Sequence, residues 1–193
     1  MYHTLPRAAS FWAFLLLIDE DFAENTRRQA CPCGGRLHRA NYVRKPRGTP
    51  IQLPEPQRLR LSFCCDRDGC RKRATPPSVR FLGRKVFLGA VVIVVSAMRQ
   101  GLKPHRVREL SKRFGVDRRT IARWKVFWRE LVPQTPFWKI ARARLNPADN
   151  DKPLPLALLD AFVRRHAPRA DWGRLLCFLA PITIPGALPS HVS

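Results

Sequence analysis

Two runs of apolar residues at helical spacing flank Gly115 in the second half of the chain. Gly115 can adopt the left-handed conformation that ends a helix, and Asp117 can accept from the unpaired backbone N–H groups that begin the next one. The spacing therefore predicts two amphipathic helices joined by a short turn. Their apolar faces contain Val107, Leu110 and Phe114 in the first helix and Ile121, Trp124 and Trp128 in the second.

A period of two, typical of β-strands, marks an earlier part of the chain. Apolar and polar residues alternate in residues 59–64, and residues 37–43 form a second strand candidate. Residues 45–57 lie between them and carry four prolines and a glycine, which predicts a loop. A helix is expected before this region, from residue 8 to about residue 29.

The chain has a net charge of +22 and a pI near 11.4, and the excess lies in two segments. Residues 36–85 hold 14 Lys or Arg and three acids, and residues 99–144 hold the same numbers, so each segment is +11. The other residues hold eight of each sign. Such one-sided charge predicts a polyanionic partner, with nucleic acid ahead of an anionic membrane surface.

Two apolar runs are too short to be membrane spans. Residues 11–18 form a run of eight, and residues 86–98 fall below the roughly 18 that cross a bilayer. The first run is followed by acids and not by a small-residue cleavage site, so it does not resemble a signal peptide. We expect two buried helices, no membrane partner, and a cytoplasmic, nucleoid-associated protein whose thiols stay reduced.

The second helix of the predicted pair presents basic residues opposite its apolar face. Arg118, Arg119 and Arg123 are candidates for contact with DNA bases or phosphates, because arginine can pair bidentately with guanine. Thr120 and Lys125 are expected to contact phosphates. The alternative is an ordinary amphipathic helical hairpin with a solvated basic face.

Two cysteine clusters border the predicted strands. Cys31 and Cys33 stand in CPCGG, whose glycines allow backbone N–H groups to point at sulfur, and SFCCDRDGC contains Cys64, Cys65 and Cys70. Four thiolates from two turns would close a tetrahedral, structural Zn²⁺ site. A module with few core residues would need such an ion to fold.

The cysteine spacing leaves alternatives open. One residue separates the first pair and four or five separate the second, whereas a regular zinc ribbon has two in each. His38 is therefore a further candidate ligand, and inert thiols are the alternative to a metal site. Cys64 and Cys65 point to opposite faces of a strand, so one ion should hold only one of them. Cys177 is isolated in an apolar helix and is interpreted as a core residue.

A basic run directly follows the last cysteine of this region. It predicts a second phosphate-binding surface, because a merely solubilising run usually mixes signs. Its members are Arg71, Lys72 and Arg73, supported by Arg80, Arg84, Lys85 and the basic residues within 44–47.

The order of these motifs resembles the N-terminal DNA-binding part of bacterial insertion-sequence transposases and related mobile-element proteins. The chain has a Cys-Pro-Cys-Gly turn, a strand ending in cysteine, a Cys-Arg-Lys stretch and then a helix-turn-helix pattern. In the bacterial helix-turn-helix a small residue precedes a glycine by four, and branched apolar residues surround the turn. The matching positions are Ser111, Gly115, Val116 and Ile121, with an apolar Trp124 three residues further on.

The resemblance implies recognition of the ends of a mobile element in double-stranded DNA. In such knuckles the ligand ends the strand where the loop begins, here at residues 66–69, so Cys64 is the spare thiol. The implied Zn²⁺ ligands are Cys31, Cys33, Cys65 and Cys70. A transposase also needs a nuclease core with three well-spaced acids. Only about 65 residues, with five acids, follow Trp128, so we expect no enzymatic activity.

The predicted fold class is α+β and mostly α. We expect an N-terminal helix in residues 1–30, a small β-rich, zinc-ribbon-like module in 31–82 and a trihelical helix-turn-helix domain in 83–145. The residues 146–193 are expected to form a linker and short C-terminal helices, at 156–166 and 172–179.

An RNA-binding or ribosome-associated zinc module is the alternative function. RNA modules stack bases on aromatic side chains of a strand face, and Tyr42 and Phe63 are the candidates here. Self-association and a transposase partner remain open, as does whether a metal is bound at all. The acidic cluster formed by Asp19, Glu20, Asp21 and Glu24 is interpreted as a solvated helix face or as an intramolecular partner of the basic modules.

Overall fold

The computed structural model describes residues 9–45, 48–49, 52–82, 86–97, 104–145, 152–162, 168–185 and 187. These residues form a mixed α+β fold that is mostly helical, as the sequence predicts at this coarse level. The helices are α1 Ala9–Arg28, α2 Glu55–Arg58, α3 Leu88–Ala97, α4 Pro104–Phe114, α5 Arg118–Val126, α6 Val132–Gln134, α7 Pro136–Ala141, α8 Leu156–Phe162 and α9 Pro168–Leu179. A π-helical turn, Phe127–Leu131, joins α5 to α6, and 3₁₀ turns follow at Arg142–Arg144 and Ala180–Thr183.

Seven short strands form three antiparallel sheets in the described residues. Strands β1 (Leu37–Arg39), β4 (Phe63–Cys65) and β5 (Arg73–Ala74) make a three-stranded sheet in the order β1-β4-β5. The other two sheets pair β2 (Tyr42–Val43) with β3 (Leu59–Arg60), and β6 (Phe81–Leu82) with β7 (Val86–Phe87).

Each predicted strand is split in two, which corrects the prediction of continuous strands over 37–43 and 59–64. At the break the Asn41 side-chain oxygen accepts from the Ser62 backbone N–H at 3.0 Å, while Ala40 N–H donates to the Ser62 carbonyl at 2.8 Å. A side chain has thus replaced one backbone partner of the ladder, and the second strand resumes at Phe63 and reaches Cys65.

One large apolar cluster joins residues from α1, α3, α4, α5, α8 and α9. Helix α3 is apolar on all sides and its described side chains are buried, as expected, although the helix begins only after strand β7. Helix α1 is different. Phe11, Trp12 and Leu15 are buried and Leu17 is 60% exposed, so the buried helix expected at 11–18 is buried along one face only. Its residues divide into an apolar stripe and a solvent face.

A buried ion pair connects helix α1 to the segment before β6. Asp19 Oδ2 lies 2.7 Å from Arg80 Nε, and both side chains are fully buried. The same carboxylate accepts from the Ser78 hydroxyl at 2.6 Å and from the Val79 N–H at 2.7 Å. Arg80 also donates to the carbonyls of Gln57 and Leu59, each at 2.8 Å. Such complete pairing is what a buried charge requires.

This ion pair corrects two interpretations. Asp19 does not belong to a solvated acidic face but pairs with Arg80 of the basic segment, in agreement with the intramolecular alternative, whereas Glu20 and Asp21 are exposed. Arg80 cannot belong to a phosphate-binding surface, because its side chain is buried and its donors are used internally. Arg84 and Lys85, grouped with it, lie outside the described residues.

The C-terminal helices pack on the same apolar cluster as the helices before them. Trp172, Leu175, Leu176 and Leu179 of α9 are buried there, and Thr183 accepts from the Ser78 N–H at 2.8 Å. The first closing helix is described to Phe162, and residues 163–166 of its predicted range lie outside the description. The domain boundaries after residues 30, 82 and 145 stay predictions. Among the described helices, none has the length and apolar character that crossing a membrane demands.

Candidate metal centre and basic helix

Four cysteine sulfurs meet at one end of the β1-β4-β5 sheet. The Sγ atoms of Cys31, Cys33, Cys65 and Cys70 all lie within 4.8 Å of one another. Cys31 and Cys70 are 3.7 Å apart and Cys33 and Cys65 are 3.5 Å apart. A tetrahedral ion with metal–sulfur bonds of about 2.3 Å sets its sulfurs about 3.8 Å from each other. The cluster could therefore hold a metal ion.

The first pair of cysteines is shaped by a tight turn. Gly34 N–H donates to the Cys31 carbonyl at 2.8 Å, and Gly34 has a φ of 84°, in the left-handed region that glycine tolerates. There is no room for a side chain at Gly35, because a Cβ there would collide with the Cys65 sulfur and lie 3.0 Å from the Arg67 Cβ. The CPCGG sequence thus brings one turn against the other.

The second pair is shaped by the loop that follows β4. Strand β4 ends at Cys65, Arg67 N–H donates to the Cys65 sulfur at 3.4 Å, and Cys70 N–H closes the loop on the Arg67 carbonyl at 3.1 Å. Cys64 lies on the opposite strand face, with its sulfur 3.4 Å from the Arg71 carbonyl. The structure therefore brings together the four cysteines selected from the sequence and keeps Cys64 apart.

The surroundings of the cluster shift the pKa values of two of its thiols in opposite directions. The pKa of Cys33 is lowered to about 6, chiefly because Gly35 N–H donates to its sulfur and then because neighbouring thiols donate as well. At Cys65 the Arg67 N–H acts to lower the pKa, but burial and contacts with the other thiols outweigh it and raise the pKa to about 12. Backbone N–H groups directed at sulfur favour thiolates, the form that binds metals.

Two other candidate residues lie outside the cluster. His38 is exposed on β1 and its Nε2 is 3.3 Å from Asp66 Oδ2, so its proposed substitution as a ligand is wrong for this arrangement. Asp66 also accepts from the Arg36 N–H at 2.9 Å, which fixes the loop. Cys177 packs partly buried against the large apolar cluster, and burial raises the pKa of its thiol, which agrees with a core role.

Searches against protein-family models, curated proteins and solved structures give no match for this chain. The resemblance to insertion-sequence transposases consequently stays a prediction from the motifs, and the function must be inferred from the geometry.

Helices α4 and α5 form the second candidate site. The apolar faces predicted for both helices are buried, and Gly115 has a φ of 61° at the end of α4. Asp117 caps α5 by accepting from the Thr120 N–H at 2.7 Å, and this bond lowers the pKa of Asp117. Val116 N–H donates to the Ser111 carbonyl at 3.2 Å across the turn. The caps read from the sequence thus lie where they were predicted.

The residues of α5 that were predicted to contact DNA differ in the exposure of their side chains. Arg118, Arg119 and Arg123 are exposed, whereas Thr120 and Lys125 are half-buried. The Thr120 hydroxyl donates to Asp117 at 3.1 Å and accepts from Arg123 at 3.1 Å. Thr120 therefore serves the cap first, and its predicted phosphate contact would require it to exchange partners.

The basic run after the cysteines is exposed, but one member has internal partners. Arg71 and Lys72 project into solvent. Arg73 donates through Nη1 to the Ala40 carbonyl and the Ser62 hydroxyl, each at 2.9 Å. Arg73 is thereby fixed on the sheet, with only part of its guanidinium left for a partner.

Sequence reasoning missed a stack of side chains beside this sheet. Two guanidinium groups lie over the Tyr42 ring, with their central carbons 4.4 Å (Arg44) and 5.5 Å (Arg73) from the ring centre. Arg44 follows Tyr42 by two residues, and side chains at that spacing lie on the same strand face. This spacing is the one signal in the sequence that could have indicated the contact. Phe63, the other aromatic candidate for stacking, is buried with 3% exposure.

Proposed function

We propose that this chain binds double-stranded DNA by inserting helix α5 into the major groove, with α4 and α5 acting as a helix-turn-helix. The observation that carries the proposal is the division of α5 into two faces. Ile121 and Trp124 are buried in the protein while Arg118, Arg119 and Arg123 project outward from a capped helix. A short helix fixed along its apolar side and cationic on the other matches the dimensions and charge of the groove.

The geometry assigns roles to individual side chains. Arg118 and Arg119 stand on the first turn of α5, the part of a recognition helix that comes nearest to base edges. A groove of about 380 Å³ lies beside this turn and has both Arg108 and Arg118 in its wall. Two cations in the lining of one groove suit a backbone phosphate, which positions the helix but does not read sequence.

The four-cysteine cluster completes the proposal as a structural Zn²⁺ site. Cys31, Cys33, Cys65 and Cys70 would occupy all four tetrahedral positions, which leaves no open position for a substrate. The apolar cluster around them has only six buried residues, two of which are cysteines, so the ion would supply much of the stability. No catalytic step is proposed for the chain.

The basic surface beside the cluster would add phosphate contacts. Arg71 and Lys72 are exposed and follow Cys70 directly, so an ion at the cluster would fix their position. Arg73 contributes less, because part of its guanidinium is already paired. The chain would act as a DNA-binding factor of the kind its motifs resemble.

The RNA-binding alternative is less well supported by the side chains. Phe63 is buried, and the Tyr42 ring is already in contact with the Arg44 and Arg73 guanidinium groups, so a base would have to compete for either ring. Competition between duplex DNA and a structured RNA of equal length discriminates the two. Preferential displacement by the RNA would favour the alternative.

Salt-dependent binding of the metal-loaded chain to a random-sequence DNA duplex tests the proposal. Six phosphate contacts predict a slope of about −5 in a plot of log affinity against log salt concentration. Replacement of Arg118, Arg119 and Arg123 by Ala should weaken binding by about tenfold or more. The charge-matched control replaces the exposed Lys139, Arg142 and Arg144.

A flat salt dependence of the unsubstituted chain would refute DNA binding. Equal losses in the α5 variant and the control variant would refute the role of α5, because general charge would then account for the effect.

A further inference from the structure

The loop after β2 reaches the turn between α4 and α5. Gly48 N–H donates to the carbonyl of Phe114, the last residue of α4, at 3.1 Å. Gly48 is buried with a φ of 95°, a conformation that other residues rarely adopt. The loop is held at its base, where Arg44 N–H donates to the Arg58 carbonyl at 2.9 Å. A part of the β-rich region is thus fixed against the end of α4.

This junction joins two segments that are distant in the sequence, and each of them carries an exposed lysine. Lys45 precedes Gly48 by three residues, so their Cα atoms lie within about 11 Å. Lys112 lies on the last turn of α4, two residues before Phe114, and both lysines are exposed. Glu109 is the one acid within α4, and it lies nearly one turn further from the junction.

Lys45 and Lys112 thus lie on the two segments that meet beside the turn leading into α5. DNA carries one charge per about 1.7 Å of helix axis, so a basic surface beside the groove faces closely spaced phosphates. If helix α5 lies in the major groove, the turn between α4 and α5 comes to the edge of the same duplex. The loop that contacts this turn then comes to the same edge.

We propose that Lys45 and Lys112 form a second phosphate-contacting surface, built jointly by the loop and the end of α4, for the DNA backbone beside the groove that α5 enters. The proposal rests on DNA binding by α5. It adds that the β-rich region and the helix pair contact one duplex as a single body, and that the region's contribution runs through the Gly48–Phe114 junction.

The test compares salt dependence for the metal-loaded chain and the variant Lys45→Gln with Lys112→Gln, on a random-sequence duplex of about 30 base pairs. Loss of two phosphate contacts should reduce the slope of log affinity against log salt by about 1.8. The control, Lys139→Gln with Arg142→Gln, removes the same charge from exposed positions on α7 and the 3₁₀ turn after it and should leave the slope unchanged.

The outcomes separate the two proposals. If the unsubstituted chain binds DNA and the lysine variant keeps its slope, this surface is refuted while α5 binding stands. Equal reductions in variant and control also refute it. If the unsubstituted chain shows no binding, the proposed function itself fails.

Discussion

The region around the four cysteines and the helical body differ in the size and content of their buried cores. Among the residues that the structure describes, the core of the cysteine region consists of Ala23, Cys31, Leu37, Leu61, Phe63 and Cys65. The helical body instead joins residues from Phe11 to Ile182 in one continuous apolar cluster and buries a fully paired Asp19–Arg80 ion pair beside it. A small core needs a cross-link or a metal ion, whereas a large one tolerates an internal charge that is well paired.

Removal of a bound metal ion should give the largest effect, and it should affect the cysteine region but not the helical body. Structural Zn²⁺ contributes about 10–16 kcal/mol to small metal-dependent folds, so a chelator should unfold the cysteine region and leave the helical body folded. Amide hydrogen exchange measured by region, before and after chelation, checks this. Equal loss of protection in both regions would contradict it.

A matched pair of variants tests which adjacent cysteine belongs to the cluster. Cys65→Ser should abolish binding of one Zn²⁺ per chain, because its sulfur is fully buried among the other three. Cys64→Ser should retain the ion, since Cys64 lies on the other strand face. Metal content by mass spectrometry is the measurement, and the reverse pattern would exclude the proposed ligand set.

Loss of the buried carboxylate should destabilise the helical body instead. Asp19→Ala leaves Arg80 buried without its charged partner and should reduce the free energy of unfolding by about 3–5 kcal/mol. The control Asp21→Ala changes an exposed residue two positions away and should stay within about 0.5 kcal/mol. Urea denaturation of both variants measures the difference, and similar values for the two would show that the pair contributes little.

The contrast between the two regions also decides what could be predicted from the sequence. The helix pair follows from local rules, namely caps at Gly115 and Asp117. The alternation of strand faces indicates that one ion holds only one of Cys64 and Cys65, and the choice of Cys65 came from the family resemblance. The Asp19–Arg80 pair joins residues 61 positions apart, and each lies in a charge run that looks solvated. The split strands depend on the Asn41 side chain taking a backbone role, which periodicity does not reveal.

The close contact of the two cysteine turns predicts a smaller effect within the cysteine region, namely a weaker affinity for Zn²⁺. Gly35→Ala places a methyl group against the Cys65 sulfur, so Zn²⁺ affinity should fall by about 10–100-fold. Gly34→Ala meets nothing within 4 Å and adds only backbone strain at its positive φ, so its loss should be smaller. Competition with a chromogenic chelator ranks the variants, and a greater loss for Gly34→Ala would contradict the packing explanation.

The α5 cap should give the smallest effect and depends on pH. The pKa of Asp117 is lowered in the folded chain because its carboxylate accepts from the Thr120 N–H. Its contribution is therefore complete above the unfolded pKa of about 4 and is lost as pH falls through the lower folded pKa. Asp117→Ala should lower Tm by a few degrees at neutral pH, with the difference shrinking in acid.

The control for the cap is Asp117→Asn, which preserves a capping oxygen without a charge. This variant should retain most of the stability at neutral pH and lack the acid-dependent component. A Tm for Asp117→Asn as low as that of Asp117→Ala would indicate that charge, and not the hydrogen bond, dominates at this position.

Nuclear magnetic resonance of the ¹⁵N-labelled, zinc-loaded chain during titration with duplex DNA tests the central claim most directly. The account predicts amide shifts concentrated in α5, with additional shifts at the proposed phosphate contacts and little change at the buried Cys31 and Cys65. The additional shifts are expected at Lys45, Gly48, Arg71, Lys72 and Lys112. Shifts that avoid α5 and concentrate on another surface would contradict DNA binding through this helix.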